Sequence, residues 1–368
     1  MKMTNTKTVK LAIIDDGISS KHIPKNQCCE YFIAEDGQVN QCAPEPDISH
    51  GTACYLAFRR HTKAPHHLIS IKVLNEETGT GAINNLITAL QWCEQQNIDV
   101  IHMSIGTSRY QDFALVAKAV KTLNNTIIVA ACNNNNTLTY SACLPSVIGV
   151  RHCCIEWLDG KFAYNLAPYD QIELMTQVKN ESNSAAAPVI TAYVCSYIAD
   201  GLVGIDTVRQ KLKEDAVKNP LFINYDFYKN ILKEWEDIQV PIVTVPEDTL
   251  GGIDKVKSII TLFMKDGYRA VCFSLQENTN IEDYIFNLSW PQEQISIQAL
   301  VELLYNFTLP DIIFLHVNIE EAKKIRDLEL IVMDKTDSKE IHHIHDNVRL
   351  SIGQSTEDLY RQLLKVLT

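Results

Sequence analysis

From residue 8 onward the chain alternates short apolar runs with amphipathic stretches of helical length, and this alternation limits its fold more than any other feature. VKLAII (9–14), HLISIKVL (67–74), DVIHMSIG (99–106), TIIVAAC (126–132) and SVIGV (146–150) have the length and β-branched content of strands. GAINNLITALQWCEQQ (81–96) and DFALVAKAVKTL (112–123) have the three-to-four-residue apolar spacing of helices. Strands apolar on both faces and separated by helices pair in parallel under a layer of helices on each side. The expected class is therefore α/β, with a mostly parallel sheet. VRQKLKEDAVKN (208–219) closes this unit. After Gln239 the alternation restarts, from VPIVTV (240–245) to STEDLYRQLLKVL (355–367), as a smaller Rossmann-like α/β domain. Residues 218–238 carry five aromatic side chains among charges and lack turn-rich composition, so they read as a packed connector. The expected organisation is a domain over 1–217, the connector over 218–238 and a second domain over 239–368. A chain of 368 residues is long enough for each domain to bury its own core.

Charge and cysteine content exclude several function classes. The net charge is −12, with −3 through residue 217 and −9 after it, so the basic footprint of a nucleic-acid binder is missing. The N-terminal MKMTNTKTVKLAIIDDG reaches polar and acidic residues after four apolar ones, so it reads as neither a signal peptide nor a membrane span. Eleven cysteines, an odd number without CxxC spacing, read as reduced thiols in a cytoplasmic protein. His61, His66, His67 and the HHIHD run at 342–346 have no acidic or cysteine spacing to match a zinc site and read as solvated loops. No metal and no cofactor is expected.

The stretch SNSAAAPVITAYVCSYIA (182–199) surrounds one serine with very small side chains. Two readings fit. Small residues let a buried helix pack closely, with serine as its N-cap. Alternatively, Ser184 is a nucleophile at a helix N-terminus, where free N–H groups and the dipole favour negative charge. Pro188 suits either reading if it lies in the first turn, where a missing donor has no helical partner.

Three other segments end strands in polar residues. LAIIDDG (11–17) ends in two carboxylates, SHGTACYLAF (49–58) sets His50 before a buried helix, and TIIVAACNNNN (126–136) ends in four asparagines. Each alone reads as a turn, a structural histidine or a loop. In chain order, however, Asp15, His50, Asn133 and Ser184 all fall at strand ends or helix starts, where open α/β sheets bind ligands. With these blocks the chain resembles the subtilisin-like serine peptidases from about residue 9 to about 200. AIIDDGI matches the aspartate motif, HGT the histidine motif and VIHMSIG the substrate-binding strand. VAACNNN matches the oxyanion asparagine motif, YSACLPSVIGV the segment behind the specificity pocket, and NSAAAP the serine motif.

The resemblance implies a subtilisin-like fold for the first domain and a set of roles. Ser184 would attack the scissile carbonyl, His50 would take its proton and deliver it to the leaving amine, and Asp15 would orient the imidazole. Asn133 would donate to the oxyanion. Ser104, Ile105 and Gly106 would offer a strand edge to an extended peptide. Cys132 and Thr139 would bound the specificity pocket, although Cys132 could equally point into the sheet as a small buried hydrophobe. The sequence departs from the family pattern at several of these places. Asn183 replaces the threonine before the nucleophile, Val189 the histidine after the proline, and Cys132 the glycine before the oxyanion asparagine. Asp16 stands where a serine or threonine follows the catalytic aspartate, and His102 where the substrate strand has asparagine. Asp15 directly ends the apolar run and is preferred over Asp16 as the orienting carboxylate.

The aspartate motif begins within about ten residues of the start, so neither a secretion signal nor a folding propeptide is expected ahead of it. A selective cytoplasmic endopeptidase is expected, acting on a peptide or precursor such as the leader of a ribosomally made peptide. The alternative is a weakly active or inactive peptide-binding scaffold of the same fold. No nucleic acid or membrane partner is expected. PEDTLGGIDKVKSI (246–259) opens a helix after a strand but lacks the Gly-Lys-Ser/Thr ending of a phosphate loop. The second domain therefore reads as a degenerate P-loop-like or docking module, able to serve a protein partner or self-association.

Overall fold

The computed structural model describes residues 6–19, 21, 23, 28–34, 36–43, 48–74, 81–165, 170–179, 181–217, 225–232, 234–246, 253–276, 281–288, 295–326, 328–335, 338–343, 349–351 and 355–367. The chain divides into two compact units, Met1–Phe222 and Ile223–Thr368.

The first unit runs β1 (Val9–Asp15), β2 (Cys28–Ile33), β3 (Val39–Cys42), α1 (His50–His61), β4 (His66–Lys72), α2 (Ile83–Gln95), β5 (Val100–Met103) and α3 (Tyr110–Thr122). It continues with β6 (Ile127–Ala131), β7 (Ile148–His152), β8 (Ala163–Tyr164), β9 (Leu174–Thr176), α4 (Asn183–Ala199) and α5 (Ile205–Asp215). Among the described residues the strands form one sheet in the order β3-β2-β4-β1-β5-β6-β7-β9-β8. Only the outermost pairs, β2 with β3 and β8 with β9, are antiparallel. The register sets Ile14 beside Met103 and Met103 beside Ala130, so β1, β5 and β6 end together at one edge. Asp15, Ser104 and Ala131 are thereby next to one another along that edge.

The hairpin β2–β3 has no counterpart in the sequence reading. Its residues show no clean alternation, and among them only Glu30 is buried; Glu30 accepts a hydrogen bond from the Ile18 N–H at 3.1 Å. Tertiary pairing with β4 makes this segment a strand.

Helix α4 explains the alanine-rich stretch. It packs against α1 and against β5, β6 and β7, and side chains around its whole circumference are buried. Ala186, Ala187 and Ala192 let its backbone approach a core that includes Tyr55 and Phe58 from α1, Val129 from β6 and Val150 from β7. Full burial of one such large apolar side chain contributes roughly 1.5–3 kcal/mol. The helix starts at Asn183 with Ser182 as N-cap, whose side chain accepts from the Ala185 N–H. Pro188 consequently lies beyond the first turn, in contrast to the sequence expectation, and deletes a helical hydrogen bond.

The second unit contains α6 (Tyr225–Ile231), β10 (Ile242–Thr244), α7 (Ile253–Lys265), β11 (Ala270–Ser274), β12 (Ile285–Asn287), α8 (Ile297–Thr308), β13 (Ile312–His316) and α9 (Ile319–Ala322). β14 (Leu328–Lys335), β15 (Ser338–His343), β16 (Arg349–Ser351) and α10 (Thr356–Leu367) complete it. Its sheet has the order β12-β11-β13-β10-β14-β15-β16. The first five strands are parallel, and β14, β15 and β16 pair antiparallel. His342 and His343, read from sequence as part of a solvated loop, belong to β15, paired between β14 and β16. Residues 344–346 of that run and the loop containing Gly251 and Gly252 lie outside the described residues.

Candidate active site

The two adjacent carboxylates at the end of β1 do different things. Asp15 is buried and both of its oxygens face His50 Nδ1, at 2.9 and 3.0 Å. Its Oδ1 also accepts from the Asp16 N–H at 2.9 Å. Asp16 instead holds the backbone at the start of α1: its Oδ2 accepts from the His50 N–H at 3.0 Å and its Oδ1 from the Gly51 N–H at 2.8 Å. Those two donors are among the four that a helix start leaves without helical partners. Ser49 caps the same helix reciprocally with Thr52. Gly51 is required here, because a Cβ would come within 2.5 Å of the Gly17 carbonyl oxygen.

The His50 side chain is 43% exposed while that of Asp15 is 1% exposed, so the imidazole presents its far edge outward from a buried carboxylate. Burial pushes the Asp15 carboxyl up, and the hydrogen bond from His50 pulls it back. The Asp15 carboxylate in turn holds His50 above the ordinary imidazole value, with a smaller contribution from Cys54. Such a pair fixes one imidazole tautomer and supports positive charge on the ring, as a general base needs.

Cys54 sits one helical turn after His50, on the same face of α1. Its Sγ lies 4.0 Å from His50 Nδ1, 3.4 Å from Ser104 Oγ and 3.7 Å from the Ser184 carbonyl oxygen. Ser104 Oγ reaches that same carbonyl at 3.1 Å. One buried thiol therefore joins the histidine helix, the end of β5 and the start of α4. The sequence reading did not single it out, although its four-residue spacing from His50 is the signal that could have done so. Asp15, His50 and Cys54 also each offer a ligand atom within 4.8 Å of the others, a geometry open to a soft divalent cation.

Asn133 and its neighbours form a second cluster. The Asn133 side chain folds over its own loop: Nδ2 donates to Thr137 Oγ1 at 2.7 Å, and Oδ1 accepts from the N–H groups of Asn135 and Thr137 at 3.0 and 3.1 Å. The Asn133 N–H donates to Thr139 Oγ1 at 2.9 Å. Asn183, the residue before the candidate nucleophile, ties this loop to α4. Its Nδ2 donates to the Asn133 carbonyl at 2.5 Å and to Asn136 Oδ1 at 3.0 Å, while its Oδ1 accepts from the His152 N–H at 2.7 Å. Cys132 is buried, with Sγ 3.7 Å from both Arg151 Nη2 and the Thr137 carbonyl and 3.9 Å from Thr139 Oγ1. Arg151 and Asp170 form an ion pair behind it, each side chain only 1% exposed.

The segment Ser104–Gly106 leaves the end of β5. Its continuation bridges antiparallel to Tyr140 at Thr107, and Ser141 Oγ donates to the Ile105 carbonyl at 3.3 Å. A Cβ on Gly106 would meet Thr139 Cγ2 at 2.6 Å. Beside this segment lies a cavity of about 580 Å³ whose lining includes Leu74, Ile83, Leu86, Ile105, Arg109 and Asp112. Its lining mixes these apolar side chains with Thr107, Ser108, Arg109 and Asp112.

A family model described as the Subtilase family matches residues 6–194. Subtilisin of Bacillus pumilus is 32% identical over an alignment of 158 positions that covers 39% of this chain and 55% of that protein. The chain spans about half the length of the curated relatives it matches. Among solved structures, a cold-adapted subtilisin-like serine proteinase has 17% sequence identity and a TM-score of 0.42, covering 60% of this chain and 86% of that one. The nisin leader peptidase from Lactococcus lactis has 14% identity and a TM-score of 0.42, covering 56% of this chain and 82% of that one.

Proposed function

The chain belongs to the subtilase family, and from that premise we propose that it is a serine endopeptidase with Ser184 as nucleophile, His50 as general base and Asp15 as orienting carboxylate. The observation that carries the reading is the Asp15–His50 pair, in which both oxygens of a buried carboxylate face one ring nitrogen of a half-exposed imidazole. In the first step His50 takes the Ser184 hydroxyl proton through Nε2 as Oγ bonds to the scissile carbonyl carbon. The carbonyl π electrons move to its oxygen. Collapse of that intermediate expels the amine, which receives the proton from His50, and water repeats the sequence to release the acid. The Ser184 N–H and Asn133 Nδ2 stabilise the oxyanion, each such donor contributing roughly 2.7–4 kcal/mol.

The substrate we propose is a specific peptide or precursor, paired along Ser104–Gly106 and cut to remove a leader, with the C-terminal unit docking the precursor or a partner. Cytoplasmic action suits eleven free cysteines. Among the described residues no helix is long and apolar enough to cross a membrane.

One observation favours a second reading, a weakly active or inactive peptide-binding scaffold. Asn133 Nδ2 is engaged with Thr137 Oγ1 at 2.7 Å and has to leave it to reach an oxyanion. Labelling with an active-site serine phosphonate, followed by peptide mapping, separates the two. A peptidase labels at Ser184 and the Ser184→Ala variant does not; a scaffold leaves Ser184 unlabelled in the wild type.

A further inference from the structure

Two features of the site meet at one backbone carbonyl. In α4 the Ser184 carbonyl would ordinarily accept from the N–H four residues later, but that residue is Pro188, which has none. The carbonyl is taken up from outside the helix, by Ser104 Oγ at 3.1 Å and more weakly by the Cys54 thiol at 3.7 Å. Ser104 is itself held: His102, 1% exposed, brings Nε2 to 2.9 Å from Ser104 Oγ and Nδ1 to 2.8 Å from Thr191 Oγ1. Burial, with His50 nearby, pushes the His102 imidazole down to about 3, so it is neutral and carries a single ring hydrogen.

The position of that hydrogen follows from counting donors. Ser104 has one hydroxyl hydrogen. If His102 carried its hydrogen on Nδ1, its bare Nε2 would claim the Ser104 hydrogen, and the Ser184 carbonyl would keep only a thiol donor. With the hydrogen on Nε2, the ring donates to Ser104 Oγ, Ser104 donates to the Ser184 carbonyl, and Thr191 Oγ1 donates to Nδ1. For this Thr191 Oγ1 gives up a hydrogen bond that it is placed to donate to the Ala187 carbonyl at 3.0 Å, and that carbonyl keeps the Thr191 N–H as its helical partner. Every group has a partner in both arrangements, but only the second gives the Ser184 carbonyl a hydroxyl donor at 3.1 Å in place of a weak thiol donor at 3.7 Å.

We infer that His102 is a positioning residue, which as the Nε2–H tautomer holds Ser104 against the carbonyl that Pro188 leaves open and so fixes the backbone carrying Ser184. The inference rests on the reading of Ser184 as nucleophile. Its consequence is a rigid link from the end of β5 to the nucleophile's own peptide group, so that the segment proposed to bind peptide and the attacking oxygen keep one geometry.

The test uses the full chain. Histidine-selective ¹⁵N labelling, with His102 assigned by its loss in His102→Gln, reads the tautomer from the two ring-nitrogen shifts; Nε2–H is expected. In parallel, phosphonate inactivation is measured for wild type, His102→Leu, His102→Gln and Ser184→Ala, with thermal melting as the check on folding. His102→Leu should lower the maximal inactivation rate about tenfold at an unchanged half-saturating phosphonate concentration. His102→Gln places an amide donor near the Nε2 position and should recover to within about threefold of wild type. An Nδ1–H tautomer overturns the inference, as does wild-type inactivation in His102→Leu, or a loss that Gln does not relieve. If His102→Leu fails to fold, the wild-type tautomer decides. Wild-type protein that does not label at Ser184 instead defeats the nucleophile reading, whatever the tautomer shows.

Discussion

Replacing Asp15 and Asp16 one at a time should separate rate from stability at two neighbouring carboxylates. Asp15→Ala removes the two oxygens that face His50 Nδ1, leaving the ring free to turn and to adopt the wrong tautomer. In a serine triad that loss costs about 10⁴-fold in rate, or about 5.4 kcal/mol at 1.36 kcal/mol per tenfold. Stability should not follow. The variant loses a buried charge whose desolvation opposes folding, and the ring left behind, 43% exposed and free to turn, can bring its Nδ1–H to water. Asp16→Ala does the reverse. It strands the N–H groups of His50 and Gly51 at the first turn of α1, and loss of a capping side chain costs roughly 0.5–2 kcal/mol. Because Ser49 and Thr52 still cap the helix, about 1 kcal/mol is expected, a shift of about 2–4 °C for a unit of this size. Its rate should fall about tenfold at most, through a small displacement of His50. Phosphonate labelling rates and thermal melts of the two variants check both halves. A slower Asp16→Ala than Asp15→Ala, or a larger melting loss in Asp15→Ala, would refute the division of labour.

Two further outcomes follow from the same site. Labelling should rise with pH as His50 loses its proton, with a midpoint above the ordinary imidazole value of about 6.5, because the Asp15 carboxylate favours the charged ring; Asp15→Asn should move the midpoint to lower pH at a reduced rate, and an unmoved midpoint would show that another group titrates. Arg151→Leu should destabilise the first unit by roughly 3–5 kcal/mol, measured by denaturant unfolding, because it takes the guanidinium away from a carboxylate that stays buried; a loss below about 1 kcal/mol would mean that water reaches the pair.

The α/β class follows from buried apolar runs alternating with helical ones, since both periodicities are local properties of the chain. The motif resemblance picks out Asp15, His50, Asn133 and Ser184 because each ends a strand or begins a helix within a short recognisable block. The hairpin β2–β3 has no such local signal, and pairing with β4 makes it part of the sheet. Sequence order alone could only prefer Asp15 over Asp16. Their different partners, a ring nitrogen for one and two backbone N–H groups for the other, depend on how α1 meets the end of β1. Pro188 reads locally as a first-turn proline, and one shift of the helix start to Asn183 turns it into the residue that frees the Ser184 carbonyl. Cys54 and Ser104 converge on that carbonyl from α1 and from the segment after β5, 130 and 80 positions away in the chain, and His102 reaches it only through Ser104. A local pattern specifies which faces of an element are apolar. Which hydrogen-bond donor answers a missing one is decided only when distant elements pack, because every buried polar group must then find its partner among whatever the fold brings within about 3 Å.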